Sequence, residues 1–442
     1  MNKEKIVVGL DIGTTKVCAI VGRKNEFGKI DILGMGQALS TGVNHGMVTN
    51  IPKTEDAVSQ AIAEAKARSG IDIKVVQVGI AGQHIKSTPN RSLLVRNNID
   101  TEITQSDLNR LADDMYKVAL APGEQIIHVL PQDYTVDGEA GISDPVGMAG
   151  LRLEGNFHVI TGHITAAKNI YKCVTRAGLH VENLILEPLA SAEAVLTAEE
   201  LEAGVVLVDI GGGTTDVAIF HENVIRHTAI IPFGGNVIND DIQEGCMVMK
   251  NQAELLKIKF GSAIPEENKE NEIVCVPGLR GKEPKEISVK NLSRIINARM
   301  EEIISSVVYE IKASGLEKKL IAGIVLTGGG SQLKHLPQLV EFHTGLDVRV
   351  GYPDEHLAKG MVEEVKSPAY ATGIGLVMKG LNSLTSQTNP TIVPDKVEEA
   401  PIIEDVKTAR PKGPGLVSKL AESFRNLMKD EELEDYKREK GN

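Results

Sequence analysis

Two short segments carry most of the chemistry this chain could perform. Asp11-Ile-Gly-Thr-Thr-Lys16 and Asp209-Ile-Gly-Gly-Gly-Thr-Thr-Asp216 share one plan: an apolar run, an aspartate, a glycine-rich turn with threonines, and a second apolar run. Glycine lets the backbone approach a ligand closely and aim successive N–H groups at it. Thr14, Thr15, Thr214 and Thr215 add hydroxyl donors. Asp11 and Asp209 would repel a phosphate in direct contact, so they would meet it through a hydrated Mg²⁺. One such turn is equally an ordinary hairpin. Two copies are far more specific, and they imply two related halves with a cleft between them.

A third segment, Ile321-Ala-Gly-Ile-Val-Leu-Thr-Gly-Gly-Gly-Ser-Gln332, reads as a strand, three glycines and a helix start. Such a turn can pass beneath a flat ligand such as adenine-ribose, and it can equally be a plain strand–helix connection. The spacings of the dinucleotide fingerprint and of the P-loop are both absent. A fourth pair, residues 186–194 and 367–376, is rich in small residues at helical spacing, which permits close helix crossing in a packed core. Glu187 heads the first of these and would face the cleft to orient a water.

The elements that must position these groups read as alternating strands and helices over residues 1–380. Short β-branched runs at 6–10, 17–21, 75–80, 205–209, 217–220 and 321–326 predict strands. Apolar residues at helical spacing predict helices over 57–69 and 295–312. The mixture implies packed α/β layers. With 442 residues, 42% of them hydrophobic and 24% charged, the chain can bury several cores without disulfide or metal staples. A net charge of −12, 3% aromatics and no Trp argue against a nucleic-acid binder. Cys18, Cys173, Cys246 and Cys275 fit no zinc or redox spacing and read as small buried hydrophobes in a reducing compartment. No apolar stretch is long enough to span a bilayer, and the first apolar run ends at Asp11, so the expected location is the cytosol.

From 383 to 414 the character changes. Pro390, Pro394, Pro401, Pro411 and Pro414 punctuate a stretch with few large apolar residues, which reads as a flexible linker. In residues 415–429, Leu416, Val417, Leu420, Phe424, Leu427 and Met428 share one face of a helix, opposite Ser418, Lys419, Glu422, Arg425, Asn426 and Lys429. Behind a linker, such a helix favours a membrane surface over docking on its own protein.

Residues 11–16, 187–194, 209–216, 327–332 and 369–375 resemble the phosphate 1, connect 1, phosphate 2, adenosine and connect 2 motifs of the actin/Hsp70/sugar-kinase ATPase superfamily. The chain is similar, more closely still, to the FtsA family of bacterial cell-division proteins. Residues 127–138 and 141–154 resemble its distinctive 1C subdomain, and 231–236, 254–257 and 299–303 also resemble it. The terminal helix departs from many relatives in offering Phe424 where they use Trp, and its exit is acidic.

The resemblance implies an actin-like two-domain α/β fold around an ATP cleft, with a 1C subdomain in place of the actin 1B subdomain. Subdomain 1A would comprise 1–84, 166–196 and 365–382, with 1C at 85–165. Subdomain 2A would comprise 197–236 and 311–364, with 2B at 237–310. Asp11 and Asp209 would hold Mg²⁺ through water. Gly13, Thr14, Thr15 and Lys16 would meet the phosphates of ATP from one side, and Gly211, Gly212, Gly213, Thr214 and Thr215 from the other, joined by Gly234 and Gly235. Glu254, Lys257, Gly328, Gly329 and Gly330 would frame the adenosine. The implied role is to polymerise on the cytoplasmic face of the membrane and anchor the FtsZ ring at the division site, with at most slow ATPase activity. Implied partners are the C-terminal peptide of FtsZ, further copies of the chain, inner-leaflet lipid and later division proteins. Arg294, Asn297 and Arg299, on one predicted helix, could meet an acidic peptide, and read equally well as a solvated helix face. A small-molecule kinase and a pilus-assembly adaptor on the same fold are the alternatives. The linker and terminal helix speak against the adaptor.

Overall fold

The computed structural model describes residues 5–98, 100–278, 283–358 and 361–383. Of the linker expected at 383–414 only Ser383 is described, as the last residue of a helix, and the amphipathic segment at 415–429 lies outside the described residues.

Two five-stranded sheets organise the molecule, and they have the same order. In the first, Ile6–Ile12 pairs antiparallel with Lys16–Lys24, which pairs antiparallel with Ile30–Leu39. On its other side Ile6–Ile12 runs parallel to Val75–Ile80, and that strand runs parallel to His180–Leu186. In the second, Val205–Ile210, Thr215–His221 and Val224–Ile231 form the antiparallel meander, with Ile324–Thr327 and Val348–Val350 parallel on the far side. Central strands read as unbroken apolar runs because helices cover both faces.

Helices Ile51–Ser69 and Ile164–Arg176 pack with the first sheet around Val58, Ala61, Val78 and Leu186. Val289–Ala313 and Leu336–Thr344 pack with the second around Val208, Ile296, Ile303 and Leu339. Both long helices begin earlier than their apolar periodicity implies, since polar caps set the starts. Asn50 accepts from the Lys53 amide with Pro52 in the first turn, and Ser288 accepts from the Asn291 amide.

Between the sheets, helices Glu187–Val195 and Ala371–Ser383 share a core with both: Ile20, Ala192, Leu207, Val325 and Ile374. The small residues there permit the expected close crossing. A Cβ on Gly375 would sit 1.8 Å from the Ala190 carbonyl oxygen.

Each half also carries an insertion. In the first, Lys86–Val95, Glu124–Val136, Glu139–Ile142 and Arg152–His163 form a four-stranded sheet, with helix Gln105–Met115 packed on Leu153 and Phe157. In the second, Gly235–Cys246, Lys250–Phe260 and the hairpin of Ile273–Val276 with Lys285–Ser288 lead into the long helix. The first insertion touches the second half directly. Arg226, on the edge strand Val224–Ile231, lies 3.4 Å from the Asp133 carboxylate.

Three expectations need correction. The strand expected at 321–326 is Ile324–Thr327, because Ile321 is 80% exposed and Gly323 turns the chain with φ 69°. After the glycines comes a 3₁₀ turn, Gly329–Gln332, and the α-helix begins only at Leu336. Cys18, Cys173 and Cys246 are buried, but Cys275 is exposed, because it alternates onto the outer face of a hairpin whose other face, at Val274 and Val276, packs on the core.

Candidate functional site

The two glycine turns close the same kind of hairpin, Ile12 against Val17 and Ile210 against Thr215, and they face each other. A Cβ on Gly212 would lie 2.0 Å from Thr15 Oγ1, and one on Gly213 would lie 2.6 Å from Thr14 Oγ1. The Gly212, Gly213 and Thr214 amides find no acceptor among the described residues. Unpaired N–H groups in a glycine turn form an anion cradle.

Beside the turns lies a cavity of about 490 Å³. It is lined by Asp11, Gly13, Thr14, Thr15 and Lys16 from the first half, and by Asp209 and Gly211 to Thr214 from the second. Glu187, Gly235, Glu254, Lys257 and Gly328 to Gly330 complete most of the expected set. Thr215 and Gly234 do not line it. The Thr215 hydroxyl donates to the Phe233 carbonyl at 2.8 Å, and Gly234 lies against the second turn, where a Cβ would meet the Gly211 oxygen at 2.6 Å. Both shape the turn from behind.

Four carboxylates converge here: Asp11, Glu187, Asp209 and Asp216. Burial pushes Asp11 up to about 6, against the pull of Lys16 and with a further push from Asp209. Burial also raises Glu187 and Asp216 well above the usual carboxylate range, with neighbouring aspartates adding to it. Asp209 is raised by burial, and hydrogen bonds from Ser191 (2.7 Å) and Thr372 (3.4 Å) oppose the rise. These two hydroxyls come from the two crossing helices, so the crossing fixes the Asp209 rotamer. Asp216 Oδ1 is buried and has no hydrogen-bond partner.

Lys16 is the cation among them. Its ammonium sits 3.5 Å from the Tyr370 ring centroid, and burial lowers its pKa. One lysine among four buried acids does not hold them all ionised, and a divalent cation would favour their charged forms. No group of three or more His, Cys, Asp or Glu side chains among the described residues is arranged to ligate a metal directly. A cation held through its own waters fits this donor set.

At the other end, Lys257 donates to the Gly235 carbonyl (2.8 Å) and to Glu254 (2.9 Å), and the Asn239 amide also donates to Glu254. Gly328 is required where it stands: its φ is 80°, and a Cβ would fall 2.2 Å from Asp209 Oδ1. Ile258 and Leu333 add apolar surface to the same wall.

Arg294, Asn297 and Arg299 do share a helix, Val289–Ala313, but only Arg294 is exposed. The Asn297 amide donates to the Ala263 carbonyl, and Arg299 grips Asp241 with two bonds of 2.7 and 2.8 Å. The residues that sequence reasoning missed are Ser191, Thr372, Asp216 and His45. Asp216, Ser191 and Thr372 fall within the motif segments 209–216, 187–194 and 369–375, whereas nothing local marks His45.

The description "Cell division protein FtsA" matches residues 206–375, and "SHS2 domain inserted in FTSA" matches 82–161. The chain is 39% identical to cell division protein FtsA of Pseudomonas aeruginosa over 407 residues, covering 91% of this chain and 97% of that one. It is 36% identical to the Escherichia coli K12 protein of the same description over 388 residues, covering 86% and 91%. Among solved structures it resembles a chain of the PilM–PilN type IV pilus biogenesis complex (TM-score 0.62, 15% identity, 85% of this chain and 98% of that one). It also resembles MreB5 of Spiroplasma citri bound to ADP (TM-score 0.51, 14% identity, 86% and 98%). The fold is actin-like, with an SHS2 domain inserted in its first half. On these likenesses, the chain belongs to the FtsA family of cell division proteins.

Proposed function

We propose that this chain binds ATP with Mg²⁺ in the cavity, polymerises on the membrane, and anchors the FtsZ ring to its cytoplasmic face. The observation that carries the nucleotide reading is the pair of opposed glycine turns with unsatisfied amides above a floor of buried carboxylates. Phosphates bring negative charge to the N–H groups and the Thr14, Thr15 and Thr214 hydroxyls. A hydrated Mg²⁺ on Asp11 and Asp209 would neutralise that charge on the acidic side. Glu187, kept protonated more readily than an exposed carboxyl, orients a water. Lys257 and Glu254 bracket the adenosine with Gly328 to Gly330.

Among the described residues no helix is long and apolar enough to cross a membrane. Membrane attachment is proposed for residues 415–429, which lie outside the described residues, on the apolar face formed by Leu416, Val417, Leu420, Phe424, Leu427 and Met428. Six apolar side chains there would bind one protomer weakly after ordering costs, and a filament firmly through multivalency. Contacts with an FtsZ peptide are proposed for the second insertion, where Arg294 is exposed and donates to Asn291 of its own helix at 3.0 Å.

The test is co-sedimentation of the full chain with anionic lipid vesicles, with and without ATP and Mg²⁺, beside a direct ATP titration. Phe424→Glu is expected to leave the pellet while its ATP affinity holds. Pelleting of that variant as the parent does would overturn the anchor, and absence of ATP binding by the parent would overturn the cleft reading.

A further inference from the structure

A third segment reaches the crests of the two turns. Val43–Asn44 and Met47–Val48 form a minimal hairpin closed by His45 and Gly46, with φ of 45° and 73°. Two successive left-handed residues make the tight turn that suits a two-residue hairpin. Glycine or asparagine is the ordinary occupant of the first position, so a histidine there is unusual.

Its side chain has a specific partner. His45 Nδ1 lies 2.9 Å from the Gly213 carbonyl oxygen, across the cleft on the second turn. A carbonyl can only accept, so Nδ1 carries the proton in this hydrogen-bond assignment. The next residue binds the first turn: the Gly46 amide donates to Thr14 Oγ1 at 3.2 Å. The tip thus ties both turns together, and Gly46 lines the cavity. The tip is braced from behind, since a Cβ on Gly46 would lie 3.0 Å from the Gly82 backbone.

The bond to Gly213 has a consequence through the rigid peptide plane. The Gly213 carbonyl and the Thr214 N–H belong to one trans amide and point in opposite directions. When His45 fixes the carbonyl, it also fixes where the Thr214 N–H aims, and that N–H is one of the unsatisfied donors. Gly328 and Gly330 pack on Asp209 and Ile210 at the root of the second turn, whereas His45 meets its crest. A row of phosphates running from root to crest puts its terminal group beside the tip.

We propose that His45 is a positioning residue for the terminal phosphate of a nucleoside triphosphate, and so favours the triphosphate over the diphosphate. This rests on the cavity being a nucleotide site. The imidazole touches no reacting atom in this role. It holds the Thr214 amide in the orientation that receives the third phosphate.

The test compares ATP and ADP binding to the full chain by titration calorimetry with Mg²⁺. His45→Gly removes the ring and suits the turn, so folding strain is not introduced. His45→Asn keeps the left-handed conformation and places an amide nitrogen near the position of Nδ1. We expect His45→Gly to weaken ATP about tenfold and ADP less than about twofold, and His45→Asn to recover most of the ATP loss. Equal weakening of both nucleotides, no weakening, or failure of His45→Asn to restore ATP binding would overturn the role of His45 and leave the nucleotide site standing. A parent protein that binds neither nucleotide would overturn the site itself, and this inference with it.

Discussion

The two halves of the molecule are built on the same sheet order yet differ where it matters for chemistry. The first half runs through three antiparallel strands, a helix and a parallel strand before its insertion begins. The second accepts its insertion directly after the meander, ahead of its long helix. The turns differ too. The first ends on Lys16, a basic side chain, and the second has two more glycines and ends on Asp216, a buried acid. A duplicated hairpin has thus been given opposite electrostatic character on its two sides. The first half carries the balancing charge, and the second supplies the most open backbone.

The largest expected effect comes from closing the gap between the turns. Gly212→Val would drive its side chain into Thr15, so ATP affinity should fall at least ~100-fold, about 2.7 kcal/mol, in a variant with an unchanged circular dichroism spectrum. Retained affinity would mean that the turns do not hold phosphates. Opposite charge predicts opposite signs in the protein without nucleotide. Asp216→Asn relieves a buried acid whose Oδ1 has no partner and whose ionised form is disfavoured by burial and Asp209, and should raise thermal stability, by roughly 1–3 kcal/mol. Lys16→Met keeps the stem beside Tyr370 but strips the cation from four carboxylates, and should lower it by a similar amount. Thermal melts of both variants check this, and shifts of the same sign would refute the asymmetry.

A smaller effect separates the acidic cleft from the first insertion. His128 Nε2 accepts the Leu186 amide at 3.0 Å, and burial, with Lys379 nearby, pushes its pKa down to about 4. His84 is likewise lowered to about 4 by burial and the neighbouring His163. An unfolded histidine takes up its proton near 6.5, before the folded one does. Their contribution is therefore full above about 6.5 and is lost as pH falls toward 4. Asp11, raised to about 6, works in the other direction and gains as pH falls through that value. His128→Gln, which can still accept from Leu186, should flatten the loss of stability between about pH 7 and pH 5 in thermal melts. An unchanged acid limb would show that His128 does not set it. The smallest effect is expected at Gly329, where an added Cβ meets nothing nearer than 4.0 Å. Gly329→Ala should change ATP affinity less than about twofold, the residual expected for an ordinary contact.

Much of the fold could be read ahead of the structure, because its signals are local. Residues 11–16 and 209–216 announce themselves by composition and order, and the small-residue runs at 186–194 and 367–376 announce a close crossing. Most cavity-lining residues named from the sequence do line the cavity. What escaped was set by distance along the chain. Ser191 and Thr372 reach Asp209 only because two helices 181 residues apart cross at that point. His45 lies 168 residues from Gly213 and carries no motif of its own. Arg299 looked free because nothing in its own helix signals Asp241, which faces it from another. Helix starts shifted for the reverse reason: caps at Asn50 and Ser288 act outside the apolar pattern.

The contact between Arg226 and Asp133 makes the molecule a closed mechanical linkage. The crossing helices form a pivot between the two halves, and backbone hydrogen bonds of Ile30 with His356 and Ala358 add a joint beside it. The inserted sheet adds a further tether, from the first half at Gly82 and His163 round to the edge strand of the second. A loop of rigid bodies has fewer freedoms than an open chain of them. Any swing at the pivot must stretch the tether or turn the inserted sheet about its own attachment. The attachment is where His84 lies buried with neither ring nitrogen bonded, so no hydrogen bond of that side chain has to break when the sheet turns. A change of angle at the cleft is thereby converted into a change of tilt on the outer surface of the protein.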